Sequence, residues 1–197
     1  MLRLCLTSKY LLTVTASVKV VKLYRDNRLD LLLLLNMGHH PPLVPGDILM
    51  LDTGATFDCY FCDFDRNFSI EQSDDLSHQT YDILWRATEA GMTAARPGTT
   101  CRELFHSMQS VIAEIDVHGG EVGRYGHGLG MQLTEWPSHA DFDETVLEEN
   151  MVITLEPSLN YGDGLIMVHE ENIVVQNGAP RLLSMRAAPE LPIIGGT

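Results

Sequence analysis

Between Asp47 and Leu51 the chain is almost unbroken in its apolar character, as a buried strand would be, and the text continues as LDTGATFDCYFCDFDRNF (51–68), a strand, a turn and a second strand. From Ser73 to about Arg96 the pattern is helical, with Ser73 and Asp74 as candidate N-caps and Pro97-Gly98 closing the segment. Thr100 with Glu103 makes a capping box for a second helix. Its Leu104, Met108, Val111, Ile112 and Ile115 fall on one stripe, and Gly119-Gly120 ends it. A glycine-rich loop follows, then strands over 151–156 and 165–175 around a turn at 160–164. The stretch from residue 1 to about 44 has no strong period and differs in character from 45–197. There is no solenoid-type repeat and no low-complexity segment.

The first hairpin carries Asp52, Asp58, Asp63 and Asp65 among Leu, Phe, Tyr and Cys. Carboxylates are rarely buried unless they are paired or bound to a cation. A hairpin centre between Phe57 and Asp58 places Asp52 directly opposite Asp63, with Cβ atoms roughly 5 Å apart. Asp58 then sits at the tip, where Asp is an ordinary turn residue. A centre on Asp163 does the same for the second hairpin and sets Glu156 opposite Glu170. Two hairpins thus each present a facing pair of acids inside apolar strands.

The loop GRYGHGLG (123–130) adds His127 among glycines that allow close approach of backbone and ligand. Four carboxylates and one imidazole make a hard, oxygen-rich set suited to two divalent ions about 3.5–4 Å apart, with Mn²⁺, Co²⁺, Fe²⁺ and Zn²⁺ all acceptable.

Composition narrows the picture only a little. At 197 residues, 45% apolar and 20% charged, the chain has the balance of an ordinary globular domain. A formal net charge of −14 argues against nucleic acid or an anionic membrane as the main partner. Cys5, Cys59, Cys62 and Cys101 do not form a disulfide scaffold, and an offset of three along a strand turns Cys59 and Cys62 to opposite faces. The apolar run 31–35 is far too short to span a bilayer, so the expected location is cytoplasmic.

DTGATFDCYFCDFDRNF, GHGLGMQLTEWP, ITLEPSL and HEENIVV resemble, in that order, the motifs of the pita-bread metallopeptidases, nearest to the Xaa-Pro aminopeptidase and prolidase branch. The resemblance covers about 45–183. It implies an α+β pita-bread fold over 45–197, apparently shortened in its first half, behind an atypical 1–44. It also implies metal ligands at Asp52, Asp63, His127, Glu156 and Glu170 and catalytic residues at Glu156, His127 and Thr134. The implied function is a dinuclear hydrolase that uses a metal-bridging hydroxide to cleave a peptide C–N bond, with two divalent ions (Mn²⁺ or Co²⁺ foremost) and a homodimeric assembly. Small non-peptide amides or amidines are the alternative substrates, and an inactive relic or binding module the alternative role.

The departures are specific. The family carries a second histidine seven residues after the ligand, where this chain has Thr134, and commonly another four before it, where it has Gly123. The Thr134 hydroxyl and His139 are the candidate replacements. Asp65 stands where the family more often has Thr, and Arg66 is its expected partner.

Overall fold

The computed structural model describes residues 20–25, 28–32, 43–114, 123–162 and 165–195. Ile115, Gly119-Gly120, Asp163 and Cys5 lie outside them.

Apolar alternation produces two sheets of five strands and one small ribbon among the described residues. The first sheet contains β1 (Val20–Arg25), β2 (Arg28–Leu32), β3 (Ile48–Phe57), β4 (Tyr60–Ile70) and β12 (Ile193–Ile194), in the order β12-β4-β3-β1-β2. The β1–β2 hairpin therefore extends the sheet that carries Asp52, although its sequence shows no clear period. The second sheet contains β5 (His127–Gly128), β6 (Glu135–Ser138), β7 (Val152–Leu155), β10 (Glu171–Val174) and β11 (Arg181–Leu182), in the order β11-β10-β7-β5-β6. Strands β8 (Ser158–Gly162) and β9 (Leu165–Val168) pair with each other.

The helices α1 (Asp75–Ala94) and α2 (Cys101–Ile112) begin where their caps stand. Asp74 rather than Ser73 is the N-cap of α1, accepting the Ser77 N–H at 2.7 Å. Thr100 and Glu103 complete a reciprocal capping box on α2. The α2 stripe buries Leu104, Met108 and Ile112 with Leu84, Ala87 and Met92 of α1 and Ile153, Leu155 and Ile173 of the second sheet. This shared core fixes β7 and β10, and with them the acids at their ends.

The first hairpin turns one residue later than its sequence suggests. Asp58 and Cys59 both have positive φ (48° and 69°), as a two-residue type I′ turn requires, and Phe57 pairs with Tyr60. Asp52 therefore faces Asp65, and Asp63 faces Gly54. The partner shifts by two positions, so each side chain keeps its face and Asp52, Asp63 and Asp65 remain on one side. Cys59 belongs to the turn, not the strand, and both it and Cys62 are free and exposed.

In the second hairpin, Leu155 pairs with Glu171 and Ser158 with Val168, so Glu156 and Glu170 face each other between the two pairings. The expected continuous strand over 165–175 is broken at His169-Glu170, opposite Glu156-Pro157. Proline has no N–H to give to a ladder, but its carbonyl still accepts from the His169 N–H at 3.1 Å. Both glutamates thus stand in a gap between strands.

Candidate metal centre

His127 is held by its backbone and by one ring nitrogen. Its N–H donates to Thr154 Oγ1 at 3.0 Å, and Nδ1 lies 2.9 Å from the Gly128 carbonyl oxygen. A carbonyl only accepts, so Nδ1 carries the hydrogen and Nε2 keeps its lone pair. That nitrogen lies 3.4 Å from Glu156 Oε1 and 3.8 Å from Asp63 Oδ2. The imidazole is 2% exposed, and burial first, with the Arg124 charge, holds its pKa below the ordinary value despite the bond to Gly128. Near neutral pH a bare lone pair therefore points at two carboxylate oxygens.

Glu170, 3% exposed, closes the group. Burial pushes its pKa well above the ordinary range, and Asp63, Glu156, Asp65 and Asp52 push it further in that order. Its Oε1 has no hydrogen-bond partner among the described residues. The other three predicted acids, Asp52, Asp63 and Glu156, thus all act on Glu170, and His127 approaches two of them.

Arg66, the expected partner of Asp65, engages backbone carbonyls and a different carboxylate. Arg66 meets Asp65 at the backbone carbonyl (2.7 Å), Glu170 at the backbone carbonyl (2.7 Å) and Met185 likewise (2.8 Å). Its carboxylate partner is the fully buried Glu171, at 3.3 Å. Two asparagines complete the clamp between the sheets. Asn67 donates to the Val168 carbonyl at 2.5 Å, and Asn172 to that of Asp63.

Glu156 is positioned from the other side. Its N–H donates to the Tyr125 carbonyl at 3.1 Å. The Tyr125 ring stacks on Phe105 of α2 at 4.7 Å and its hydroxyl reaches Gln109 at 2.5 Å. Gly126 permits this approach: its φ is +141°, and a Cβ there would lie 2.2 Å from the Thr154 carbonyl oxygen and 2.5 Å from the His139 ring.

The two replacement donors fare differently. His139 is fully buried against Gly126, and burial, with the neighbouring His127, takes its pKa down to about 3, so it is an uncharged packing group. Thr134 stands exposed on the loop before β6 and makes no hydrogen bond to the five among the described residues.

These donors fit a divalent cation. Ligands at about 2.0–2.2 Å from one tetrahedral ion lie about 3.3–3.6 Å apart, close to the spacing between His127 and Glu156. Among the described residues, no three His, Cys, Asp or Glu side chains stand close enough to hold one ion as placed. The approach is pairwise, and side-chain rotation must bring the remaining carboxylates in. The repulsion around Glu170 and His127 is what an ion would relieve.

The model of metallopeptidase family M24 matches residues 33–177. The chain belongs to metallopeptidase family M24. It is 33% identical over 138 residues to the Xaa-Pro dipeptidase of Pyrococcus furiosus, a match that covers 70% of this chain and 40% of that protein. The prolidase structure from Pyrococcus furiosus superposes with a TM-score of 0.75 at 25% identity, over 88% of this chain and 50% of that one. Dipeptidase PepE from Mycobacterium ulcerans superposes with a TM-score of 0.72 at 29% identity, over 77% and 41%. These M24 neighbours carry the pita-bread fold that the motifs imply. The chain spans about 40% of the length of the curated relatives it matches.

Residues the motifs do not reveal are Arg66, Asn67 and Asn172 as clamps between the sheets and Arg124 on the cavity wall. A cavity of about 460 Å³ opens beside Glu156, lined by Gly123, Arg124, Ser138, Phe142, Glu156, Ser158 and Val168. The one available signal for Asn67 and Asn172 is an amide within a strand otherwise rich in apolar residues.

Proposed function

We propose that this M24 chain is a metal-dependent peptidase that cuts the bond before proline in short peptides. Two divalent ions, Mn²⁺ or Co²⁺ foremost, would be held by Asp52, Asp63, His127, Glu156 and Glu170. The observation that carries this reading is the Nε2 lone pair of His127 directed at Glu156 and Asp63, beside a buried Glu170. The names of its relatives, Xaa-Pro dipeptidases, support the choice of substrate.

When bound, the ions supply an acidified water and a Lewis acid for the scissile carbonyl. The chain supplies the remainder. Glu156 lines the cavity and takes the proton from the attacking water on a carboxylate oxygen, then returns it to the leaving nitrogen. His127, neutral and locked by Gly128, keeps its Nε2 orientation throughout. Asp63 is tied to β10 through Asn172, and Glu170 to β4 through Arg66, so the two sheets hold their acids at fixed separation. Phe142 and Val168 contribute apolar groups to the cavity lining.

A second reading rests on positions 123 and 134, where glycine and an exposed threonine stand instead of histidine. A site with fewer proton donors suits a small non-peptide amide or amidine. The test is hydrolysis by the Mn²⁺- or Co²⁺-loaded protein of Xaa-Pro dipeptides against small cyclic and guanidino amides. Cleavage of the dipeptides supports the first reading. Cleavage of the small amides alone favours the second, and no turnover of either class rejects both.

A further inference from the structure

Asp65 is an acid that the five-residue set does not use. It stands two positions after Asp63 on β4, so both side chains leave the same face of the strand, about 7 Å apart along it. Across the ladder it faces Asp52 directly. Opposed side chains on one face of an antiparallel pair have Cβ atoms about 4.5–5.5 Å apart. Asp65 is 3% exposed, as deeply buried as Glu170. Arg66, its expected partner, binds its backbone carbonyl and gives its other donors to Glu170, Met185 and Glu171. A third carboxylate thus shares the face from which Asp52 and Asp63 approach the centre.

Two further observations direct it there. Glu170, which precedes β10, keeps Oε1 buried and without a hydrogen-bond partner among the described residues. Among the acids that raise the Glu170 pKa, Asp65 acts more strongly than Asp52. Of the two opposed aspartates, the one outside the five-residue set is therefore the more closely coupled to its most buried member.

An added carboxylate is chemically selective. With Asp65 the centre holds the carboxylates of Asp52, Asp63, Asp65, Glu156 and Glu170 against the single imidazole of His127. Mn²⁺ suits octahedral, oxygen-rich coordination, whereas Zn²⁺ is commonly satisfied by four ligands and takes nitrogen readily. At a fixed set of nitrogen and oxygen donors Zn²⁺ binds more tightly than Mn²⁺, and one more oxygen donor narrows that gap. A threonine, which the resemblance implies at this position, offers only a neutral hydroxyl.

We propose that Asp65 is a further oxygen ligand of the metal centre and favours Mn²⁺ over Zn²⁺ there. This rests on the metal-dependent reading above and deepens it by naming a residue that chooses the ion.

The test is calorimetric titration of the chelator-treated chain at pH 7 with Mn²⁺ and, separately, with Zn²⁺, which needs no turnover. It compares the unmodified protein with Asp65→Asn, which keeps the shape and one carbonyl oxygen, and Asp65→Thr, which removes the carboxylate. Mn²⁺ affinity is expected to fall by about 10- to 100-fold in Asp65→Thr, the loss seen when even a group supporting a ligand is removed. Zn²⁺ affinity should fall far less, so the ratio of the Mn²⁺ to the Zn²⁺ affinity drops by about tenfold or more, with Asp65→Asn between. An unchanged ratio overturns the inference, whether both affinities fall together or neither moves, because a nearby charge or a packing role acts on both ions alike. Mn²⁺ binding by the unmodified chain with that unchanged ratio leaves the peptidase reading standing. If the unmodified chain binds neither ion, both readings fall. A ratio that drops while neither Xaa-Pro dipeptides nor small amides are cleaved keeps the ligand and rejects the peptidase. Urea unfolding checks that Asp65→Thr is folded, and should it not be, the near-isosteric Asp65→Asn decides by the same ratio.

Discussion

Arg66→Met removes the guanidinium that joins β4 to the β9–β10 junction while keeping most of the side-chain volume. Arg66 donates to the carbonyls of Asp65, Glu170 and Met185, and pairs with Glu171, whose side chain is 0% exposed. Removing one partner of a buried pair costs about 3–5 kcal/mol, because the other charge stays buried without compensation. The Ala187 N–H still donates to Glu171 at 2.8 Å, so the lower end of that range is expected. With a urea m-value of about 2 kcal/mol per M, a loss of about 3 kcal/mol moves the unfolding midpoint down by about 1.5 M. The penalty depends on pH. Burial raises the Glu171 pKa above its ordinary value, and the Arg66 charge is the largest influence lowering it. A raised folded-state pKa gives stability that is fully present below the unfolded pKa and lost as pH rises through the folded one. Without Arg66 that folded pKa climbs further, so the deficit is largest at neutral and higher pH and shrinks toward pH 4. Arg66→Met/Glu171→Gln should recover a large part of the loss. A single variant that unfolds within about 0.5 kcal/mol of the unmodified protein at pH 7, the range of neutral surface changes, would refute this reasoning.

Gly126→Ala places a methyl group 2.2 Å from the Thr154 carbonyl oxygen at a φ of +141°. It should cost at least about 2 kcal/mol in urea unfolding and weaken metal binding through displacement of His127. Thr100→Ala removes one half of the α2 capping box and should cost about 1 kcal/mol in the same assay without altering metal binding. Glu156→Gln should lower kcat on a dipeptide by about 10²–10⁴ if Glu156 carries the proton, with the fold judged intact from an unchanged melting transition.

The alternation of the strands was enough to place the acids on a common face. The Asp52 partner lies two positions from the one the pattern implies because Asp58 and Cys59 both adopt positive φ, a choice that apolar periodicity does not encode. The shift leaves the face unchanged, since side chains repeat every two residues. The second register is legible because Glu156 and Glu170 sit symmetrically about its turn, and the strand end before Pro157 is legible because proline announces it, whereas the interruption at His169-Glu170 in the facing strand has no breaker residue of its own. The α2 stripe and its cap were legible because both are local. Arg66, Asn67 and Asn172 were not, because side-chain bonds to carbonyls about 100 residues away leave no period in the text. His139 had the chemistry of a donor but not the place, since its ring packs against Gly126.

The most direct test is a calorimetric titration of the purified, chelator-treated chain with Mn²⁺ and with Co²⁺ at pH 7, repeated on His127→Ala and Glu170→Gln. Facing acids from two sheets, joined by a neutral imidazole, should take up two ions per chain, and each substitution should remove at least one of them. Absence of binding to the unmodified chain, or equal uptake by all three proteins, would contradict the account.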